Sequence, residues 1–476
     1  MRCKWSIPVC CLLFIPQTNK ILFATKAETT SARPACSGPR PPLYSSAMSD
    51  GFEVVVVGAG PAGCAAAYTL AKAGIQVLLV ERSKFAGGKN VTGGVLYGSV
   101  LNELIPEFWK EAPVERRVQR HVISMLSEKS SVSIDFNKDT SDHPESAGYT
   151  VLRAKFDRWF AGKVEEAGGM VITGSRADDL IMDDGRVAGI VAGGDSIAAK
   201  VVIAADGVNS LLADKAGLGT SLAPENVNQG VKEVIKLPRE TIEQRFNVTS
   251  DGGAAIHFLG FCTRGVHGGG FLYTNQESLS LGIVVQLKAL LDNKLKSVEL
   301  LESFKEHPTV REWVKGGTPV EYSAHLVPAG GLRMVPQLYT DGMLVAGDAA
   351  ALVLATGRAL EGLNFALASG VAAAETVKMA REKDDFSQQT LSQYVKLMSD
   401  SFVLQDLVRF FGAPQFLENP RLYGVYPELA CSLAGRVFEV DGNPKSTVWQ
   451  LAREEMKGKV SLWQLVRDAM AARKTL

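Results

Sequence analysis

Apolar and polar positions along the chain follow two alternating periods. Glu53 to Val57 is a β-branched run of the kind found in a strand buried on both faces. Pro61 to Ala73 is Ala-rich and predicts a helix, and Ile75 to Val80 predicts a second buried strand. Strand, helix and strand form a βαβ unit, whose parallel strands imply a doubly wound α/β sheet. A helix is expected over Phe156 to Ala167, with strands over Met170 to Ile172, Asp179 to Asp183, Arg186 to Ala192 and Lys200 to Ala204. Alternation over Gly270 to Tyr273 and Ser280 to Gln286 predicts an antiparallel sheet, hence a second lobe. A helix-like stretch from Leu287 to Glu306 interrupts it. Met343 to Ala346 returns to a buried strand, followed by an Ala-rich helix from about Leu360 to Met379. From about Phe386 the chain reads as mostly helical.

Length and charge narrow the class. A chain of 476 residues exceeds one compact core, so two or three lobes are expected. Lys+Arg and Asp+Glu balance at 51 each, which leaves no electrostatic case for nucleic acid. Residues 1–47 differ from the rest. Arg2 and Lys4 precede an apolar run, Ile7 to Ile15, which is broken by Pro8 and is too short to span a bilayer. The segment reads either as a basic, acid-poor targeting sequence or as a wrongly included stretch ahead of a start at Met48. Cys3, Cys10, Cys11 and Cys36 fall within it; Cys64, Cys262 and Cys431 are scattered, and no C-x-x-C occurs. No metal site is written in that pattern, and a reducing compartment fits best.

Gly58-Ala59-Gly60-Pro61-Ala62-Gly63 is a G-x-G-x-x-G between the first strand and its helix. Gly58 permits the tight turn, Gly60 a close approach to a pyrophosphate, and Gly63 helix-to-strand packing. The helix start, at Pro61 and Ala62, offers free N–H groups and a positive dipole end. Glu81 follows 18 residues beyond Gly63, where a carboxylate accepts from ribose hydroxyls, and Arg82 beside it is grouped with the same site. This motif alone leaves FAD and NAD open.

Two later strand ends choose between them. Lys200 to Gly207 ends in Ala-Asp-Gly, which supplies Asp206 and Gly207; Asp341 to Asp348 ends in Gly347-Asp348. Here the chain resembles the large FAD-dependent group of geranylgeranyl reductases, aromatic hydroxylases and electron-transfer-flavoprotein dehydrogenases. The resemblance implies that Asp348 binds the ribityl chain of FAD. The turn from Gly357 to Gly362, with Leu363 and Asn364, leads into the next helix. A helix N-terminus there would stabilise negative charge on a reduced flavin ring.

Gly87 to Gly94 and Val151 to Phe160 narrow the match further. Together with the Gly-Asp region they resemble FixC-type flavoproteins, relatives of the electron-transfer flavoprotein–quinone oxidoreductases, over nearly everything after Met48. The resemblance implies that Arg153 contacts FAD and that the loop bearing Lys89, Asn90 and Gly93 passes near the flavin ring. It also implies an FAD-binding domain in two parts, 48–219 and 336–385. An antiparallel substrate or quinone domain over 220–335 would be inserted between them, and 386–476 would be a helical C-terminal region. Two departures stand out. The longer quinone oxidoreductases carry a four-cysteine iron–sulfur domain near the C-terminus, where this chain has only Cys431. A cluster is then absent or supplied by a ferredoxin-like partner. Ala349-Ala350-Ala351 replaces an Ala-Ala-Gly often seen after the Gly-Asp pair.

The expected activity is electron transfer from electron-transfer flavoprotein subunits to quinone, with no side chain singled out as catalytic. The expected location is cytoplasmic, with peripheral contact at the inner face of the cell membrane left open. A prenyl-lipid reductase of the geranylgeranyl type is the alternative enzyme, and a flavin-free prenyl-protein carrier of the same fold the alternative non-enzyme. His267-Gly-Gly-Gly270 resembles an esterase oxyanion loop, but no G-x-S-x-G accompanies it, so a Gly-rich hairpin is expected. Trp463 to Met470 has amphipathic helical spacing, for which core packing is the favoured reading.

Overall fold

Phe52–Val57, Val77–Glu81, Asp195–Ala204 and Met343–Val345 pair in parallel within an eight-stranded sheet. The computed structural model describes residues 51–89, 93–357 and 360–475; the expectations for residues 1–47 and for Asn90 lie outside them. Val57 stands opposite both Val80 and Ala204, so these strands end level with one another. Gly58 and Glu81 come directly after Val57 and Val80, Asp206 comes two residues after Ala204, and Gly347 lies just beyond the neighbouring strand. That carboxyl edge is where open α/β sheets bind ligands. Behind it, Val55, Val56, Leu78, Leu79, Val202, Ile203 and Leu344 are fully buried, as their unbroken apolar runs require.

The helix Pro61–Lys72 packs against the long helix Leu363–Glu382. A Cβ at Gly370 would fall 2.1 Å from the carbonyl oxygen of Ala62, so glycine is what lets the two backbones touch. The Ala run around it serves the same close approach. The expected helix start at Leu360 shifts because Leu360–Glu361 first pairs with Leu354–Ala355 as a short hairpin.

The second sheet has nine strands. From one edge the order is Thr318–Pro328, Val227–Lys236, Ser278–Gln286, Gly268–Thr274, Gly252–Gly260, Val114–Leu126, Gly148–Leu152 and Gly93–Tyr97, with Ser131–Asn137 also paired to Val114–Leu126. The sequence placed this sheet at 220–335, yet four of its strands come from residues 93–152. The join is the parallel pairing of Val114–Leu126 with Gly252–Gly260. Arg116 fastens it. Its side chain is fully buried, and it donates to the carbonyls of Asn275, Thr249, Ser250, Gly252 and Gln276 and to Glu243. Ser297–Glu306 and Pro308–Val314 cover one face of the sheet through Leu301, Phe304 and Val310, against Phe258 and Ile283. The expected helix from Leu287 to Glu306 is two helices, Leu287–Asp292 and Ser297–Glu306, parted where Lys294 takes φ 52°.

The glycines after His267 lie at the start of the strand Gly268–Thr274. Gly270 faces the Phe304 ring, which a Cβ would meet at 2.9 Å, and His267 stacks on Tyr423 with ring centroids 5.0 Å apart. The last helix, Leu462–Thr475, inverts the expected packing. Asp468 anchors it by accepting from Arg421 at 2.7 and 2.8 Å, Asn419 at 2.9 Å and Tyr426 at 2.5 Å. Its apolar side faces outward, with Trp463 72% exposed and Val466 and Met470 exposed beside it. Among the described residues no helix is long and apolar enough to cross a membrane.

Candidate functional site

One cavity runs from the carboxyl edge of the parallel sheet to a face of the nine-stranded sheet. At one end it is lined by Gly58, Gly60, Pro61, Ala62, Glu81 and Arg82. Gly58 takes φ 103°, and a Cβ there would sit 2.3 Å from the Ala205 carbonyl oxygen. A Cβ on Gly63 would sit 1.9 Å from the Gly58 carbonyl oxygen, which closes the helix onto its loop. Pro61 opens the helix, and no side chain caps its first N–H groups. Glu81 accepts from the backbone N–H of Ala59 at 3.0 Å and of Ser83 at 2.8 Å. The acid at the second strand end thus holds the glycine loop as well as bordering the cavity.

Arg153 opens the helix Arg153–Glu166 and reaches toward the same loop; a Cβ on Gly60 would meet its Nη2 at 3.7 Å. The guanidinium makes a two-pronged pair with buried Asp157, at 2.7 and 2.8 Å. Burial works against its charge, but Asp157 and then Asp348 more than offset this and hold it above its ordinary range. The Gly87 turn, at φ 84°, lies so close to the start of this helix that a Cβ would be 2.6 Å from the Arg153 carbonyl oxygen. The loop it begins brings Lys89 to the cavity wall, and Gly93 follows as the first residue of its strand.

Asp206 and Gly207 also line the cavity. Asp206 accepts from the Ser210 hydroxyl and the Leu212 N–H, each at 3.3 Å, and burial raises its carboxyl above the usual range. Asp348 borders the cavity in the turn Gly347–Ala350. Burial raises its pKa, opposed by Arg153. Gly347 takes φ 67° and donates its N–H to the Ser369 hydroxyl at 3.0 Å. Ala351 takes φ 54°, so the position where the sequence departs from Ala-Ala-Gly keeps the left-handed conformation that favours glycine. Gly357 lies at the tip side of the short hairpin, with φ 79°. Gly362 precedes the helix Leu363–Glu382 without a side-chain cap, and both Gly362 and Leu363 line the cavity. Asn364 donates to Glu361 at 2.8 Å, while its own Oδ1 is buried without a partner.

The far wall is the part that sequence reading missed. Tyr97, His121, Lys232, His257, Tyr273 and His325 line it, each on a different strand of the nine-stranded sheet. The signal was available as pairs two residues apart, which share a strand face: Gly230 with Lys232, Ala255 with His257, Phe271 with Tyr273, His325 with Val327. Phe271 and Tyr273 stack at 5.1 Å, and His257 meets Tyr273 edge-on at 5.9 Å. Burial, and then the neighbouring His121, push His257 down to about 4. Burial also lowers His121, and burial followed by Arg153 and Arg82 lowers His325. At neutral pH the wall is therefore aromatic and uncharged apart from Lys232.

The residues present fit FAD. Two helix N-termini without side-chain caps border one cavity, and Gly58, Gly60 and Gly362 present bare backbone on its wall. The unpartnered Asn364 oxygen lies on the second of those helices. Such a set suits a dinucleotide with a pyrophosphate and a polar ring edge.

Comparisons with known proteins agree with that geometry. Residues 53–249 match the family described as FAD dependent oxidoreductase. Residues 228–327 match the ubiquinone-binding region of electron-transfer flavoprotein–quinone oxidoreductases, and 413–476 the C-terminal domain of the ETF-QO/FixC family. The protein named FixC from Escherichia coli is 47% identical over 394 residues, 83% of this chain and 92% of the relative. A probable electron transfer flavoprotein-quinone oxidoreductase, YdiS, from the same organism is 45% identical over 84% of this chain and 93% of its own length. FixC of Bradyrhizobium diazoefficiens is 41% identical, with 84% and 92% covered. Among solved structures, a geranylgeranyl bacteriochlorophyll reductase-like protein from Thermoplasma acidophilum superposes with TM-score 0.67 at 24% identity, covering 88% of this chain and 99% of that one. A myxobacterial chondrochloren halogenase gives 0.58 at 18%, covering 87% and 92%.

Proposed function

The chain belongs to the family of FixC proteins and electron-transfer flavoprotein–quinone oxidoreductases, and we propose that it passes electrons from an electron-transfer flavoprotein to a quinone by way of FAD. One observation carries the reading. A single cavity joins the glycine loop to Gly230, Lys232, His257, Tyr273 and Val327, all within the segment matched to ubiquinone binding.

When bound, FAD supplies the redox chemistry. The protein's part is to hold it and to set its surroundings. The N–H groups at the start of Pro61–Lys72 would hold the phosphates, and Arg153, kept aimed by Asp157, would add a fixed positive charge. Glu81 and Asp348 would accept from sugar and ribityl hydroxyls, and Asp206, Arg82 and Lys89 line the same cavity. Gly347, Gly357, Gly362, Leu363 and Asn364 lie around the start of the second helix, whose N-terminus would face the flavin ring. The sheet wall, aromatic and uncharged apart from Lys232, suits a flat apolar acceptor.

The segment matched to the C-terminal domain holds one cysteine, Cys431, too few for a four-cysteine cluster. A cluster, if the assembly uses one, would then be supplied by a separate ferredoxin-like protein. The outward apolar side of Leu462–Thr475 supports peripheral contact with the bilayer that dissolves the quinone, at the cytoplasmic face of the cell membrane. The likeness to the geranylgeranyl reductase-like structure is one of fold, and nothing in the cavity selects an isoprenoid over a quinone.

The test is anaerobic spectroscopy of the purified protein. Flavin bands should be present, should bleach on reduction, and should return when a short-chain quinone is added. A colourless protein removes the flavin half; bleached protein that quinone does not reoxidise removes the other.

A further inference from the structure

Among the described residues, Lys232 is the one lysine, arginine or acid that the nine-stranded sheet turns toward the cavity. It lies in Val227–Lys236, one strand in from the edge, and is 3% exposed. Lysine is almost never buried in this way without a partner. The partner is Glu321 on the edge strand, whose carboxylate lies 3.1 Å from the ammonium but is 41% exposed and shared with water. Burial lowers the ammonium's pKa, and Glu321 opposes that. Lys232 is also near enough to Arg153 for the two cations to repel, and Arg153 in turn feels Asp348. Two residues before it, Gly230 leaves the wall bare: a Cβ there would meet nothing closer than 3.7 Å, so packing does not demand the glycine. The sheet thus keeps an open floor beside a buried cation.

We propose that Lys232 is a fixed positive charge at the ring end of the cavity, favouring the reduced flavin over the oxidised one. The inference rests on the reading of the cavity as a flavin site. Two electrons and one proton convert the neutral ring to a monoanion. A desolvated cation stabilises that charge, while the oxidised ring gives it nothing to attract. Glu321 attenuates the effect without cancelling it, because water screens its half-exposed carboxylate. Lys232 is in this sense a tuning residue, set by its strand and by Glu321.

The experiment is an anaerobic titration of the flavin-bearing protein with dithionite at neutral pH, beside a reference dye of matched potential. It reads the ratio of reduced to oxidised dye at which half the flavin is reduced. Lys232→Met should raise that ratio about tenfold, and Lys232→Arg should stay within about threefold of the unchanged protein. Glu321→Gln should move it the other way, by about two- to fivefold, because it unmasks the ammonium. A Lys232→Met protein within about twofold of the original overturns the inference. If that variant does not fold, the Glu321→Gln ratio decides, and an unchanged or higher value overturns it. Protein that never carries flavin defeats the reading of the cavity itself; yellow protein with unmoved ratios defeats only the role of Lys232.

Discussion

Arg153 and Asp157 stand one helical turn apart and meet through two bonds, Nε to Oδ1 at 2.7 Å and Nη2 to Oδ2 at 2.8 Å. Asp157 is inside the protein, and Arg153 is nearly so. Replacing Asp157 by Asn leaves a buried guanidinium without its anion, which costs about 3–5 kcal/mol. Flavin affinity should fall by at least about tenfold, because the guanidinium no longer holds its direction. Urea unfolding and fluorescence titration of the flavin-free protein measure the two effects. No change in either would mean that Arg153 is positioned by something other than this carboxylate.

Gly63→Ala places a methyl group 1.9 Å from the Gly58 carbonyl oxygen, an overlap the helix and loop cannot both absorb. The variant should lose about 2–3 kcal/mol and most of its flavin. Gly162→Ala is the control. It lies within Arg153–Glu166 with nothing near its Cβ, and should stabilise by about 0.5–1 kcal/mol with full flavin content. The ratio of visible to ultraviolet absorbance, with thermal unfolding, separates the two.

Arg116 donates six hydrogen bonds from a fully buried side chain, five of them to backbone carbonyls. Arg116→Met leaves those carbonyls and Glu243 short of donors, and should cost more than about 4 kcal/mol. Arg116→Lys should recover little, because one ammonium cannot reach partners arranged for a planar fork. Soluble yield and chemical denaturation report this. A lysine variant as stable as the original would refute the fork argument.

His257 gives the stability a pH dependence of known sign. The unfolded chain takes up its proton near pH 6.5, while burial beside His121 pushes the folded imidazole down to about 4. Between those values the unfolded state binds more protons. The contribution is therefore whole above about pH 6.5 and is lost as the pH falls toward 4. The slope from this residue is at most about 1.4 kcal/mol per pH unit, and less because the ring borders an open cavity. Unfolding free energies from pH 7.5 to 4.5 (roughly the span of the transition) should show it, and His257→Gln should flatten the curve. A parallel curve for the variant would place the acid sensitivity elsewhere.

The glycine loop, Glu81, the Gly-Asp turn and the helix Leu363–Glu382 were legible because each is decided within a few residues of itself. A buried strand, a glycine that must approach a neighbour and an acid at a strand end leave local marks. The nine-stranded sheet was read only in its later half. Val114–Leu126 carries Glu115, Arg116, Arg117 and Arg120, which looks like surface, and what makes Arg116 interior is a set of carbonyls more than 130 positions away. The same distance hid the cavity's far wall, since Tyr97, His121, His257 and His325 share a face only after the strands are aligned. The outward turn of Trp463 has a related cause. Helical spacing shows that one side is apolar, but Asp468, with partners at Asn419, Arg421 and Tyr426 outside its own helix, chooses which side turns inward.

The parallel join between Val114–Leu126 and Gly252–Gly260 also imposes a schedule on synthesis. Arg116 and its partner Thr249 are 133 residues apart. At 5–20 residues per second, a nascent chain carries the first strand for roughly 7–27 s before its neighbour is made. During that interval one edge of the strand has no partner, and an open edge invites pairing with another chain. Production of this protein should therefore respond to translation speed and to holding chaperones more strongly than its finished stability would suggest.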